Sequence, residues 1–271
     1  MDLPGQTSSL LVRDPRTAEW FVSGNITLLL TLLVSYVYFV KVSGPRFMTN
    51  RKPMEHLKPL IIVYNAAMVF ANVHFCYTFL RLTYFGRRYS FFCQGIDYAA
   101  KDRTTMDLLE LCWWYFWVRV ADFLDTVFFV LRKKDAHISF LHVAHHCLVV
   151  FSGWYGVGYG ADGQVVMAIC VNSFVHIIMY SYYFLSLLGP SARRYLWWKR
   201  HLTQIQIAQF VIVSVHGVIP LFKECGYPRM HIYIAFPQCV FFTGMFVDFY
   251  CKAYAKKKCE PKRTLGLKDR K

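Results

Sequence analysis

The stretch 138–154, Ile-Ser-Phe-Leu-His-Val-Ala-His-His-Cys-Leu-Val-Val-Phe-Ser-Gly-Trp, is greasy enough to cross a bilayer. It nevertheless carries three histidines where a membrane helix ordinarily places leucine. On a helix the spacing i, i+3, i+4 stacks His142, His145 and His146 on one face. Imidazoles grouped in this way can carry protons, attack carbon or bind metal.

Outward from this segment, apolar windows of roughly bilayer-crossing length recur at 21–40, 59–80, 108–131, 165–188, 202–222 and 232–254. Of 271 residues, 56% are hydrophobic and 18% aromatic, and the mean hydropathy of +0.31 exceeds soluble-domain usage. The expected fold is all-α, a polytopic membrane protein with seven transmembrane helices. Segment 1–20 is polar and mixed in charge, and 21–40 is long enough to remain as a span, so no signal peptide is expected. No loop is large enough for a soluble domain and no internal repeat occurs. One transmembrane domain is therefore expected over 21–254, flanked by a lumenal segment 1–20 and a basic, disordered cytosolic tail 255–271.

Lysine and arginine favour the cytosolic side of a membrane. Here they crowd into 41–58, 132–134, 193–200 and the tail, which places the N-terminus in the lumen and the C-terminus in the cytosol. The net charge of +15 then reads mostly as a cytosolic collar suited to anionic headgroups or a phosphorylated substrate, with no particular support for nucleic-acid binding. Most of the nine cysteines fall in apolar spans, and none makes a Cys-x-x-Cys pair. Cys93 and Cys225 instead lie in loops on the face assigned to an oxidising lumen, and a disulfide between them is expected. The glycan acceptor pattern Asn25-Ile26-Thr27 sits at the mouth of the first span, too near the bilayer to be modified.

A charge at mid-bilayer costs about 2.5–3.5 kcal/mol on insertion scales, so polar residues kept inside spans need a reason. The third span carries Arg119, Asp122, Asp125 and Thr126 on one helical arc. Arg119 with Asp122 reads equally as a structural ion pair or as chemistry. The fifth span carries Asn172, His176, Met179, Tyr180 and Tyr183 along one side, with Asn172 and Tyr180 each one turn from His176 and placed to fix its tautomer. The sixth adds Thr203, Gln206 and Gln209, read as a site wall or as interhelical glue, and His216 as a packing residue.

These residues resemble the very-long-chain fatty-acid elongases of the endoplasmic reticulum, the ELO family of 3-oxoacyl-CoA synthases, from about residue 20 to 255. The markers are His-x-x-His-His at His142, His145 and His146, His-x-x-Met-Tyr-x-Tyr-Tyr from His176 to Tyr183, and Thr-x-x-Gln-x-x-Gln at Thr203, Gln206 and Gln209. The family box Lys-x-x-Glu-x-x-Asp-Thr stands here as Arg119-x-x-Asp122-x-x-Asp125-Thr126, which keeps charge and shortens one carboxylate by a methylene. Ala144 and His137 replace an aromatic residue and a glutamine common in relatives, which alters the walls near the histidine box.

The resemblance implies a decarboxylative condensation of a long acyl-CoA with malonyl-CoA, giving 3-oxoacyl-CoA, CO2 and CoA, with both CoA esters as substrates and no tightly bound cofactor or metal. It implies His145 as the nucleophile that forms an acyl-imidazole. His176 then assists proton transfer or enolate handling, while His142 and His146 orient His145 or polarise a carbonyl. Arg119, Asp122, Asp125, Asn172, Tyr180, Gln206 and Gln209 form the supporting shell, and Lys133, Lys134, Lys199 and Arg200 hold CoA phosphates or serve topology alone. The acyl tail enters an apolar tunnel enclosed by the spans and capped toward the lumen. Implied partners are the bilayer, the ketoacyl-CoA reductase, 3-hydroxyacyl-CoA dehydratase and enoyl-CoA reductase that complete each cycle, and a possible second copy of the chain. Two other classes compete. A membrane di-iron desaturase or hydroxylase also uses His-x-x-His-His, but needs about eight histidines from several boxes, and this chain has ten in all with a single cluster. A seven-span receptor is suggested by span count alone.

Overall fold

In a computed structural model that describes residues 13–255, Asn25 turns the chain into its first helix, accepting the backbone N–H of Leu28 at 3.0 Å. That helix, α1 (Ile26–Tyr38), passes through one π turn into α2 (Gly44–Met48). Then follow α3 (Lys58–Leu80), α4 (Arg103–Ala121), α5 (Phe123–Leu131), α6 (Phe140–Tyr159), α7 (Val165–Leu187), α8 (Lys199–Phe222) and α9 (Arg229–Tyr250). No strand occurs among the described residues. The segments Ile26–Met48, Glu55–Phe85, Val165–Leu187, Lys199–Phe222 and Arg229–Tyr254 are long and apolar enough to cross a membrane. The other two windows, α4 with α5 and α6, carry the buried charges and the three histidines, which lower their hydropathy.

The window 108–131 reads as one helix in the sequence but is two, broken at Asp122 with no proline or glycine to account for it. The break has polar partners instead. Asp125 donates its backbone N–H to the carbonyl of Asp122 at 3.1 Å, a tightened turn, and the carbonyl of Ala121 accepts the Tyr64 hydroxyl at 3.2 Å. The orphaned backbone group is thus satisfied from another helix.

Helix packing closes a ring in the order α3, α7, α8, α9, α6, α4 and back to α3, with α1 lying outside against α6. Val22, Leu29 and Tyr36 pack there against Phe116, Phe123, Val150 and Trp154. A second core joins α3, α4 and α7 through Phe75, Phe79, Leu109, Tyr115 and Val166. The odd-sided connections collect at one end, where Cys93 is bonded to Cys225 with the two Cα atoms 5.9 Å apart, as expected from the loop positions. Lys133, Lys134, Lys199 and Arg200 are exposed at the opposite end.

Segment 1–20 reads as a polar appendage, yet its described part is packed into the disulfide end. Arg16 donates to Asp14 Oδ2 at 2.6 Å and to Asp162 Oδ1 at 2.8 Å, with its side chain fully buried. Burial opposes the Arg16 charge, but its hydrogen bonds to Asp14 and Asp162, with the charge of those carboxylates, outweigh it and hold its pKa above the ordinary value. Gly160 ends α6 beside this cluster at φ +139, where a Cβ would meet Ile96 at 2.8 Å, so a side chain is excluded on both counts. Because removing one partner strands two buried carboxylates, Arg16→Met is expected to cost about 3–5 kcal/mol. Thermal unfolding in detergent checks this; an unchanged Tm would mean that the cluster is solvated. The tail expected over 255–271 lies outside the described residues from 256 onward.

Candidate active site

Arg119, 1% exposed near the end of α4, is the hub of the buried polar residues. One guanidinium nitrogen lies 3.2 Å from Asp122 Oδ2 and 2.6 Å from His176 Nδ1, and the other donates to Asn72 Oδ1 at 2.9 Å. Guanidinium has hydrogens and no lone pair to offer, so the imidazole nitrogen facing it accepts. Asn172, one turn before His176 on α7, accepts from the Tyr115 hydroxyl at 2.6 Å and lies 3.4 Å from Arg119. Tyr180, one turn after His176, places its hydroxyl 2.9 Å from Asp122 Oδ1 and 2.7 Å from Asp125 Oδ2. One hydroxyl hydrogen is shared between two carboxyl oxygens, which ties α7 to both halves of the broken helix.

The histidine box is positioned from its own N-terminus. Ser139 caps α6 by accepting the backbone N–H of His142 at 3.2 Å. His142 Nε2 then sits 2.8 Å from Thr126 Oγ1, itself 2.8 Å from the Tyr36 hydroxyl. The His142 and His146 rings are 4.3 Å apart, and those of His145 and His146 are 5.7 Å apart and edge-on. His145 turns toward an aromatic wall made by Phe242 at 5.0 Å and by Phe210 and Phe246 at 6.3 Å. The middle histidine thus faces apolar surroundings while its neighbours are fixed by contacts with α1 and α5.

The geometry thereby joins Arg119, Asp122, Asp125, Asn172, His176 and Tyr180 in one network, and His142, His145 and His146 in an adjoining cluster. The glutamines are less engaged. Gln206 reaches Met179 Sδ at 3.7 Å, and Gln209 keeps a buried Oε1 without a partner. His216 lies apart from both groups, against Gln164 and the carbonyl of Phe91. At the basic end, His137 is placed near Lys134 and Lys199. Partial desolvation, with those two charges, holds its pKa below the ordinary value. Among the described residues no three His, Cys, Asp or Glu side chains converge as a metal set.

Asn72, Tyr36, Tyr64 and Tyr115 also build the site without belonging to any of the sequence boxes. Asn72 was visible as an amide inside an apolar span, two turns from Asn65 on the same face of α3. The tyrosines carried no such signal, since aromatic residues are ordinary in membrane helices.

Residues 21–262 match the GNS1/SUR4 family, ELO. The chain is 39% identical to very long chain fatty acid elongase 7 of Rattus norvegicus over 92% of its own length and 88% of the relative's. It is 39% identical to a very long chain fatty acid elongase of Aedes aegypti, covering 89% and 67%, and 36% identical to very long chain fatty acid elongase 4 of Mus musculus, covering 93% and 78%. The family match over residues 21–262 and relatives 36–39% identical over about nine-tenths of the chain place the protein in the ELO family of very long chain fatty acid elongases.

Proposed function

We propose that the protein condenses a long-chain acyl-CoA with malonyl-CoA to give 3-oxoacyl-CoA, CO2 and CoA. The observation that carries this reading is His145 itself, edge-on to His146 at 5.7 Å and facing the apolar wall of Phe242, Phe210 and Phe246, on the helix that packs against the one bearing Arg119, the partner of His176. In the first half-reaction a nitrogen of His145 attacks the thioester carbonyl, and the C–S bond breaks to release CoA, which takes up a proton. An acyl-imidazole results, a good acyl donor because imidazole leaves well. Malonyl-CoA then loses CO2, its enolate carbon attacks the acyl carbonyl, and His145 is released. Both ring nitrogens of His176 lie near the same Arg119 nitrogen, Nδ1 at 2.6 Å and Nε2 at 3.2 Å, so His176 assists enolate handling as one unit with the Arg119 guanidinium, whose charge favours the developing oxyanion.

For this reaction the two polar windows also cross the bilayer, giving seven spans over a domain at 21–254, and the acyl tail lies inside the helix ring in a tunnel closed at the disulfide end. The disulfide end is then lumenal and the basic end cytosolic in the endoplasmic reticulum membrane, where the reductases and dehydratase of the cycle work. The CoA phosphates meet Lys133, Lys134, Lys199 and Arg200.

The Lys134→Ala, Lys199→Ala double variant is expected to raise KM for acyl-CoA about tenfold with kcat nearly retained, an effect that shrinks at high salt. Both lysines disfavour the His137 cation, so their removal is expected to move the His137 titration upward toward the ordinary histidine value, measured by NMR. A rise in KM without that shift would place the lysines away from His137. The activity itself is tested by incubating purified protein with a long acyl-CoA and carboxyl-labelled malonyl-CoA. One CO2 per 3-oxoacyl-CoA is expected. Stoichiometric iron and no condensation would favour the desaturase chemistry instead.

A further inference from the structure

Two adjoining hollows lie at the disulfide end of α8 and α9. The inner one, between α7, α8 and α9 and only partly enclosed, is about 60 Å³ and is lined by Ala168, Val213, Gly217, Ala235 and Cys239 among others. Val213 is one turn beyond Gln209, and Cys239 lies three residues before Phe242, so the hollow begins about one turn past the aromatic wall that His145 faces. The other is an open groove of about 420 Å³ on the outer face, lined by Val218, Leu221 and Phe222 of α8 and by Tyr233 and Pro237 of α9. Ile232 and Phe236 line both and form the partition between them.

Several features make this partition the easiest way out of the inner hollow. Beyond it, Gln164, His216 and His231 form a floor whose polar atoms are already engaged. Gln164 Nε2 donates to the carbonyl of Phe92 at 3.0 Å, His216 Nε2 meets the carbonyl of Phe91 at 3.0 Å, and His231 Nε2 meets the Tyr98 hydroxyl at 3.3 Å. Extending an apolar chain through that floor would strand buried donors and acceptors. Displacing Ile232 and Phe236 breaks no hydrogen bond. The backbone there is also loosened, because Pro220 in α8 and Pro237 in α9 each remove a helical N–H. The carbonyl of His216, which Pro220 cannot serve, is held by Gln164 Nε2 at 2.8 Å.

We propose that the α8–α9 groove is a distal subsite for the ω-end of long acyl chains, reached from the inner hollow when Ile232 and Phe236 swing aside. The proposal rests on the acyl-CoA reading above. Its occupant is a polymethylene tail, because the groove is lined by apolar side chains and only Ile232 and Phe236, which line both hollows, separate it from the inner one. Ile232 lies ten residues, about 15 Å along α9, from Phe242. Only chains reaching that far past His145 meet the partition, and longer ones continue into the groove instead of ending against the floor.

The test is photolabelling of the full-length protein in phospholipid nanodiscs with acyl-CoAs of increasing length, each bearing a diazirine at the ω-carbon, beside a phosphatidylcholine bearing the same group. Short probes are expected to label Ala235 or Cys239, and long probes Leu221, Tyr233 or Pro237, both displaced by excess unlabelled acyl-CoA. Groove labelling by the phospholipid probe alone, or labelling confined to Cys239 at every length, would overturn the subsite. In parallel, Phe236→Ala is expected to raise, and Phe236→Trp to lower, the ratio of long-primer to short-primer kcat/KM by about tenfold. An unchanged ratio in both variants overturns the gate. If the wild type elongates no primer at all, the condensation reading falls and the subsite with it, whereas normal elongation without groove labelling removes the subsite alone.

Discussion

His145→Ala is expected to reduce condensation by at least about 10³-fold, while leaving the protein folded and its affinity for acyl-CoA nearly unchanged. The asymmetry within the box makes this prediction specific. His142 is tied to Thr126 Oγ1 at 2.8 Å and packs 4.3 Å from His146, so its loss disturbs the packing of α5, α6 and α1 together. His145 packs against Phe242, Phe210 and Phe246, a wall that can close over a small void without losing a hydrogen bond. His142→Ala is accordingly expected to lower both Tm and turnover, and His145→Ala turnover alone. Steady-state assays beside thermal unfolding separate the two. Equal losses of Tm in both variants would mean that His145 is a packing residue.

The second large effect is expected at Arg119. Replacing it by methionine leaves Asp122 buried without its cation and should cost about 3–5 kcal/mol of stability along with nearly all activity. Arg119→Lys restores a charge but not a fork: one ammonium can pair with Asp122 yet cannot also span His176 Nδ1 and Asn72 Oδ1, which the guanidinium meets at 2.6 and 2.9 Å. That variant is expected to unfold near the wild-type temperature with kcat lowered about tenfold to a hundredfold. In the double variant Arg119→Met, Asp122→Leu, the stranded charge is removed, so stability should largely return while activity does not. Recovery of activity in the double variant would show that the pair is structural and that His176 needs no partner.

Much of this arrangement is legible in the sequence because it depends on helical spacing. His142, His145 and His146 share a face by spacing alone, and Asn172, His176 and Tyr180 do so on α7. The pairing of Cys93 with Cys225 follows from loop position and the sidedness of basic residues. What spacing cannot show is which stripes meet. Asp122 breaks its helix because Tyr64 and Tyr180, remote in the chain, supply partners for the groups exposed there. Asn72 is recognisable as a polar residue in a span, but not as the second anchor of Arg119. Segment 13–20 misleads for a related reason: Asp14 and Arg16 look like a solvated surface pair until Arg16 is seen to reach the buried Asp162, 146 residues away, as well as Asp14.

The most direct test of the central claim is the intact mass of purified wild type and His145→Ala after exposure to a long saturated acyl-CoA without malonyl-CoA. The wild type is expected to gain one acyl group, to lose it when malonyl-CoA is added, and the variant to gain none. An unmodified wild type that still forms 3-oxoacyl-CoA once malonyl-CoA is supplied, or an equal adduct on the variant, would contradict the acyl-imidazole on His145.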